Sequence, residues 1–161
     1  MMIQLHCRWK NSKLPPPKKS ELRRFADAAA QAAGLPVEPL WDLNLLFVTD
    51  RTMAKYNEEL VGHSGTTDVI TFSYFDDGDE YAPGDTMIEL IINPDAARRE
   101  GAVRPGGYAG EMALYIVHGL LHSAGEDDLS PAPRRRMRRR EQECLDILKK
   151  QFDFSRLFKE A

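Results

Sequence analysis

Short apolar segments alternate with longer stretches of helical periodicity along this chain, and this order constrains the fold more than any other feature. Residues 3–7, 41–49, 67–74 and 87–92 have strand length and are rich in branched and aromatic residues. Residues 41–49 are dense in Leu, Phe and Val, as expected of a strand buried on both faces. Strands separated by helices predict a small α/β or α+β domain whose sheet has about four strands and is at least partly parallel.

Helical patterns fill the intervals between these segments. Ser20 is placed to cap a helix that Gly34 ends, and Asp50 is placed to cap a short helix. Apolar residues recur at helical spacing over residues 108–124, and a last helix begins near residue 131 or 133. Together with a short stretch that opens at Asn93, these patterns predict about five helices.

The length of 161 residues predicts a single domain over residues 1–161. No apolar stretch approaches the roughly 18 residues that a membrane helix requires, and the first ten residues lack a signal-peptide apolar block. We therefore expect a soluble, cytoplasmic protein with no membrane partner. Cys7 and Cys144 are too few and too far apart for a disulfide scaffold or a metal box, so both are interpreted as free thiols.

Charge is segregated along the chain although the net charge is only −3. Residues 1–55 carry a formal charge of +4, residues 56–133 carry −12, and residues 134–161 carry +5. The acidic part includes the loop over residues 75–85. An acidic middle suits a cation and basic ends suit an anionic polymer, but uneven surface charge alone would give the same pattern.

The stretch His118-Gly-Leu-Leu-His122-Ser-Ala-Gly125-Glu-Asp-Asp128 is the most informative in the sequence. Two histidines four residues apart on a helix lie on one face and can share one metal ion. Gly125 can end the helix in the left-handed conformation, so that the chain turns back and brings a third ligand. Asp128 is the favoured third ligand, and Glu126 and Asp127 are the alternatives.

Three protein ligands leave one position open, which is the pattern of catalytic rather than structural zinc sites. Ordinary buried histidines bonded to backbone or water would be the alternative interpretation. Zinc peptidases with an HExxH helix carry a glutamate base directly after the first histidine. That position is Gly119 in this chain. Because the general base is missing, proteolysis is the poorer interpretation.

The histidine stretch resembles the H-G-x-L-H-x-x-G-x-D-H signature of the YbeY family, bacterial endoribonucleases of ribosomal RNA maturation. Asn57 with residues 67–72, and residues 84–88, are similar to two further motifs of that family in the same order. The resemblance implies an α+β fold with a mixed sheet of about four strands, about five helices and a metal site at the end of a central helix. It also implies RNA cleavage that depends on one divalent ion, most simply zinc.

This sequence departs from the family pattern at two positions. Asp128 stands where the family has a third histidine, and Val61 stands where it has an arginine. Aspartate can bind zinc, but an anionic ligand makes the ion less positive. His63 lies two positions after Val61, where it would supply a cation or a proton donor near a phosphate as a catalytic residue. An exposed loop histidine is the alternative.

Six of the seven residues from Arg134 to Arg140 are arginines. Arginine is suited to bidentate phosphate contact, so Arg134, Arg135, Arg138 and Arg139 are predicted to bind RNA through its backbone. The alternative is a solvated helix face paired with Glu141 and Glu143.

The function predicted from these features is metal-dependent cleavage of single-stranded RNA in ribosomal RNA maturation and ribosome quality control. Ribosomal RNA and ribosome-associated proteins are the expected partners. A metal-binding, ribosome-associated protein with weak or no nuclease activity, and another zinc metallohydrolase such as a peptidase, remain the alternatives.

Overall fold

A computed structural model describes residues 2–73 and 86–161 of the chain. Its strands are β1 (Ile3–Trp9), β2 (Trp41–Phe47), β3 (Val69–Ser73) and β4 (Met87–Ile92). Its helices are α1 (Lys19–Ala33), α2 (Asp50–Tyr56), α3 (Pro94–Gly101), α4 (Gly107–Ser123), α5 (Pro131–Lys149) and α6 (Phe154–Leu157). A π-helical turn, Asn57–Val61, extends α2. The acidic loop over residues 75–85 lies outside the described residues.

The four strands form one mixed sheet in the order β1-β2-β4-β3. β1 is parallel to β2, with Ile3 opposite Trp41, and β2 is parallel to β4, with Leu43 opposite Ile88. β3 is antiparallel to β4. Parallel neighbours need a long crossover, and α1 lies between β1 and β2 in the chain as that rule requires. The predicted α+β fold with a mixed four-stranded sheet is confirmed.

Burial along β2 corrects the expectation that both of its faces are covered. Its residues alternate between buried and half-buried. The larger core lies between the sheet and helices α1 and α4. On the other face, Leu46 packs on a smaller apolar cluster that includes Met53 of α2. A cavity of about 460 Å3 beside Asn44 and Tyr56 opens on this second face, because α2 covers only part of it.

Two predicted helix starts are wrong by one or two residues. α1 begins at Lys19, so Ser20 lies inside its first turn instead of capping it. Thr49 caps α2 by accepting a hydrogen bond from the amide of Thr52. Asp50 instead accepts hydrogen bonds from the Arg99 guanidinium of α3, because its side chain turns away from its own helix. The single-turn helix α6 is a further element that the sequence pattern does not predict.

Helix α4 occupies the centre of the fold. It packs against α1, α3, α5 and α6, and against β3 and β4. Gly119 allows α4 to pack closely on β4, since a Cβ atom there would lie 2.5 Å from Cδ2 of the fully buried Leu90. The missing side chain at residue 119 therefore lets α4 approach the sheet, and this approach determines which way the neighbouring histidines face.

Within the described ranges, no helix combines the length and the apolar character needed to cross a lipid bilayer.

We predict that Gly119→Glu strongly lowers the urea midpoint of unfolding, because a carboxylate placed against Leu90 would be buried without a partner. Gly119→Ala should also destabilise, since overpacking costs about 1–3 kcal/mol and the gain in helix propensity is about 1 kcal/mol. Gly110→Ala is the matched control. A Cβ there meets nothing within 4 Å, so this change should leave stability unchanged or raise it. Parental stability of Gly119→Glu would contradict the prediction.

Candidate metal centre

The last turns of α4 carry two histidines on one face. The ring centroids of His118 and His122 are 4.6 Å apart and their planes are inclined by 80°. Their side chains are 23% and 28% exposed. Most of each ring is therefore covered by neighbouring residues, and part of it remains accessible. The two rings lie on one face of the helix, as their spacing of four residues predicts.

The chain reverses at the end of α4 through Gly125, whose φ is 105°. The amide of Gly125 donates to the carbonyl of His122 at 3.0 Å, and the amide of Glu126 donates to that of Leu121 at 3.0 Å. These two bonds form a Schellman motif, in which glycine adopts the left-handed conformation at low cost. The predicted helix end and reversal at Gly125 are confirmed.

The reversal brings Asp128 back to both histidines. Its Oδ2 lies 3.7 Å from Nε2 of His118, and its Oδ1 lies 3.5 Å from Nε2 of His122. One ligand atom from each residue falls within 4.8 Å of the other two. Ligands of a tetrahedral zinc ion, at bond lengths of about 2.0–2.2 Å, stand about 3.3–3.6 Å apart. The donor set and its spacing therefore fit one divalent ion.

The two alternative third ligands have other partners. Glu126 Oε2 accepts a hydrogen bond from Nε of Arg136 at 3.0 Å. Asp127 Oδ1 accepts one from the amide of Leu129 at 2.9 Å. Of the three carboxylates that follow Gly125, the structure brings only Asp128 to the histidines.

The two imidazoles differ in proton affinity. Burial lowers the pKa of His118, but the hydrogen bond and charge of Glu141, together with the charge of Asp128, outweigh burial and raise the pKa above its usual value. Burial and the neighbouring His118 lower the pKa of His122. His122 is therefore neutral near pH 7, as a ligand must be, whereas an ion competes with a proton at His118.

Glu141 is a residue of this centre that the sequence analysis missed. Its Oε2 lies 2.6 Å from Nδ1 of His118, and its side chain is 14% exposed. The buried residues Met137, Cys144 and Leu148 form the inner stripe of α5. Residue 141 falls on this stripe, four positions after Met137 and three before Cys144. A carboxylate within an otherwise apolar stripe is the signal that would have identified it.

His118 and Asp128 open onto a cleft of about 310 Å3 between α4, α5 and the start of β3. Two arginines of α5, Arg134 and Arg138, line the same cleft, and Asp68 lies on the wall that precedes β3. A phosphate entering this cleft would meet guanidinium groups and the histidine–aspartate cluster together.

The six arginines between Arg134 and Arg140, here called the arginine run, lie in several different environments. Arg134 Nε donates to the carbonyl of Asp128 at 3.3 Å, and Arg136 pairs with Glu126. Both contacts tie α5 to the segment that carries Asp128. Arg138 lines the cleft and has no hydrogen bond or ion pair with any described residue.

The remaining arginines lie away from the cleft. Arg140 binds Glu143 at 2.6 Å and the carbonyl of Ala32 at 2.9 Å. Arg135 and Arg139 are exposed, and neither lines the cleft. The four arginines predicted to bind RNA therefore fall into two pairs, with Arg134 and Arg138 at the cleft and Arg135 and Arg139 outside it.

His63 follows the π-helical turn and is exposed. Its amide donates to the carbonyl of Asn57 at 3.2 Å, and its side chain is not among the described groups that line the cleft. Val61, at the position of the family arginine, is 42% exposed. The structure does not bring His63 to the histidine–aspartate cluster, and its catalytic role stays a prediction.

Comparisons with known proteins agree with this architecture. The family model described as Endoribonuclease YbeY matches residues 4–149. A relative with that name from Elusimicrobium minutum is 34% identical over 115 residues, covering 70% of this chain and 78% of the relative. Another, from a Nocardioides species, is 34% identical over 109 residues, covering 63% of this chain and 70% of the relative.

A solved structure supports the fold independently. The solution structure of TM1509 from Thermotoga maritima is 19% identical and has a TM-score of 0.56, covering 92% of this chain and 93% of that one. The family match spans most of the chain, including both histidines and Glu141. The chain therefore belongs to the YbeY family of endoribonucleases.

Proposed function

We propose that this chain is a metal-dependent endoribonuclease that cleaves single-stranded ribosomal RNA in maturation and ribosome quality control. It acts in the cytoplasm as one domain over residues 1–161. The supporting observation is a cluster of His118, His122 and Asp128, of which His118 and Asp128 line a cleft together with Arg134 and Arg138. Family membership supports RNA as the substrate. Ribosomal RNA and ribosome-associated partners follow from the family resemblance alone.

Two imidazoles and a carboxylate favour zinc among divalent ions. When bound, the ion would supply Lewis acidity toward a phosphate oxygen and toward water. His118, His122 and Asp128 would hold it, with the reversal at Gly125 keeping the aspartate in place. Arg138 would neutralise a phosphate oxygen beside the cluster, because its guanidinium has no partner among the described residues and faces the cleft.

A peptidase is the poorer alternative on structural grounds. The position of the peptidase base is Gly119, and a side chain there would face Leu90 in the core instead of the cleft. A metal-binding protein with weak nuclease activity is the stronger alternative, because Asp128 adds a negative charge to the centre and Val61 supplies no cation. Turnover of RNA separates this alternative from the proposed function.

We predict about one divalent ion per chain after equilibration with zinc. His118→Ala, His122→Ala and Asp128→Ala should each lose the ion, since each removes one of three ligands. Cys7→Ser and Cys144→Ser should keep it, because neither thiol belongs to the cluster. Elemental analysis of the dialysed proteins measures the outcome. Full occupancy in a His118→Ala/His122→Ala variant would contradict the site, and full occupancy in Asp128→Ala would show that another residue is the third ligand.

We predict chelator-sensitive cleavage of structured RNA with single-stranded segments, and equal or faster cleavage by Asp128→His. A neutral third ligand leaves the ion about one charge unit more positive, which strengthens its Lewis acidity. Steady-state turnover with and without a chelator, at matched metal occupancy, measures this effect. If the zinc-loaded parent and Asp128→His both lack turnover, the chain is a metal-binding protein and not a nuclease. A peptide-library assay with the same proteins tests the peptidase alternative.

We predict that Arg138→Gln weakens RNA binding more than Arg139→Gln does. These neighbours on α5 are both exposed, but only Arg138 lines the cleft. A lost phosphate contact should flatten the dependence of log affinity on log salt by about 0.7 for single-stranded RNA. Glutamine keeps helix propensity, so folding should not change. Fluorescence anisotropy at several salt concentrations gives both slopes. Identical slopes for Arg138→Gln and the parent would show that Arg138 makes no phosphate contact and belongs to the solvated face of α5.

A further inference from the structure

We propose that Glu141 is a positioning residue for the metal centre: it fixes the orientation and the proton-bearing nitrogen of His118, so that Nε2 faces the ion. This role rests on the metal site of the proposed function but not on nuclease activity. It assigns to α5 a part in metal binding as well as in binding RNA.

The geometry of the contact supports this role. Glu141 Oε2 lies 2.6 Å from Nδ1 of His118, a short distance typical of a bond to a charged acceptor. The other ring nitrogen, Nε2, lies 3.7 Å from Oδ2 of Asp128. An imidazole whose Nδ1–H donates to a carboxylate presents the lone pair of Nε2 on its far side. One side of the ring is thus occupied by Glu141 and the other side faces the remaining ligands.

The position of Glu141 in α5 indicates that the carboxylate is held for this contact. It lies on the inner stripe of the helix, between the fully buried Cys144 and the nearly buried Met137. A carboxylate in such surroundings loses hydration, which a hydrogen bond to a cationic or polarised donor must offset. Its described partner is His118.

The other acids near the arginine run have different partners. Glu143 pairs with Arg140 and its side chain is 48% exposed. Glu126 pairs with Arg136. Both ion pairs lie at the protein surface, where such pairs contribute little to the free energy of folding. Glu141 is also not placed as a direct ligand, because its bonded oxygen lies at the ring nitrogen remote from Asp128.

The contact links α5 mechanically to the centre. An ion held by His118, His122 and Asp128 would connect the end of α4 with the reversed segment, and Glu141 extends this connection to α5. Metal binding should therefore stabilise the packing of α5 on α4. The linkage gives a readout that is independent of RNA cleavage.

The test compares Glu141→Ala, Glu141→Gln and the control Glu143→Gln, a charge change two residues away on the same helix. Zinc affinity is measured by competition with a chromophoric chelator at about pH 8, above the ordinary pKa of an imidazole, to reduce proton competition at His118. Loss of an outer partner of this kind typically weakens metal binding by about 10–100-fold. We expect that loss in Glu141→Ala, a smaller loss in Glu141→Gln, whose amide oxygen still accepts from Nδ1–H, and no change in Glu143→Gln.

Two further measurements separate orientation from general damage. Imidazole 15N spectra of the metal-free protein, recorded at a pH high enough that the His118 ring is neutral in each variant, should show its proton on Nδ1 in the parent and in Glu141→Gln, but shared between the two nitrogens in Glu141→Ala. The increase in melting temperature on adding zinc should shrink in Glu141→Ala and persist in Glu143→Gln. Circular dichroism confirms that each variant is folded, and Glu141→Gln serves as the test variant if Glu141→Ala does not fold.

The role is overturned if folded Glu141→Ala binds zinc within about twofold of the parent, if its His118 keeps the parental tautomer, or if Glu143→Gln loses as much affinity. It is overturned together with the proposed function if the parent binds no metal. If the parent and variants show the expected order of zinc affinities but none cleaves RNA, the positioning role stands and the nuclease function fails.

Discussion

The close approach of α4 to β4 determines where the two histidines of the candidate metal centre lie. Gly119 packs against Leu90 with no room for a side chain, so this side of α4 is committed to the sheet. One residue earlier, the helix turns by about 100° and His118 faces α5 and the cleft. His122 follows one turn later on the same side. Gly119 therefore has two consequences. It leaves no glutamate at the position where zinc peptidases have their general base, and it lets α4 pack close to the sheet with both histidines on the side that faces α5.

The reversal after α4 and the packing of α5 complete the centre. Gly125 closes α4 with two backbone hydrogen bonds, and Arg134 and Arg136 then hold the following segment from α5. Asp128 lies in this segment, and its side chain is 39% exposed. Arg134 and Arg136 therefore stabilise the segment that carries Asp128. This is a third role for arginines of this helix, in addition to a solvated face and an RNA-binding surface. The separation of charge along the sequence has a counterpart in space, since acids of the middle part meet arginines of the last helix at one cleft.

Much of the fold and three members of the candidate site could be predicted from the sequence, because both depend on local periodicity. The strands, α4 and the reversal at Gly125 follow from spacing and from glycine conformation. The half-open face of β2 is indicated by Asp42 and Asn44, which alternate with the apolar Trp41, Leu43 and Leu45. The density of Leu, Phe and Val in this segment instead favours burial on both faces, and how much of the second face α2 covers depends on tertiary packing. Glu141 was missed because its role depends on the packing of α5 against α4, between residues 23 positions apart. The division of the arginines likewise depends on which side of α5 meets α4.

The two departures from the family pattern, Asp128 and Val61, both affect the net charge of the candidate site. Asp128 and Glu141 together carry two negative charges, which would balance the two positive charges of a bound divalent ion. A centre balanced in this way attracts a phosphodiester weakly at long range, because the net charge of the ion and its surroundings sets that attraction. Val61 supplies no compensating cation. In the described part of the cleft, Arg134 and Arg138 lie where positive charge is then needed. Asp128 and the arginines of α5 therefore fit one arrangement, in which the helix whose Glu141 would help to balance a bound ion would also supply the charge that brings RNA to it.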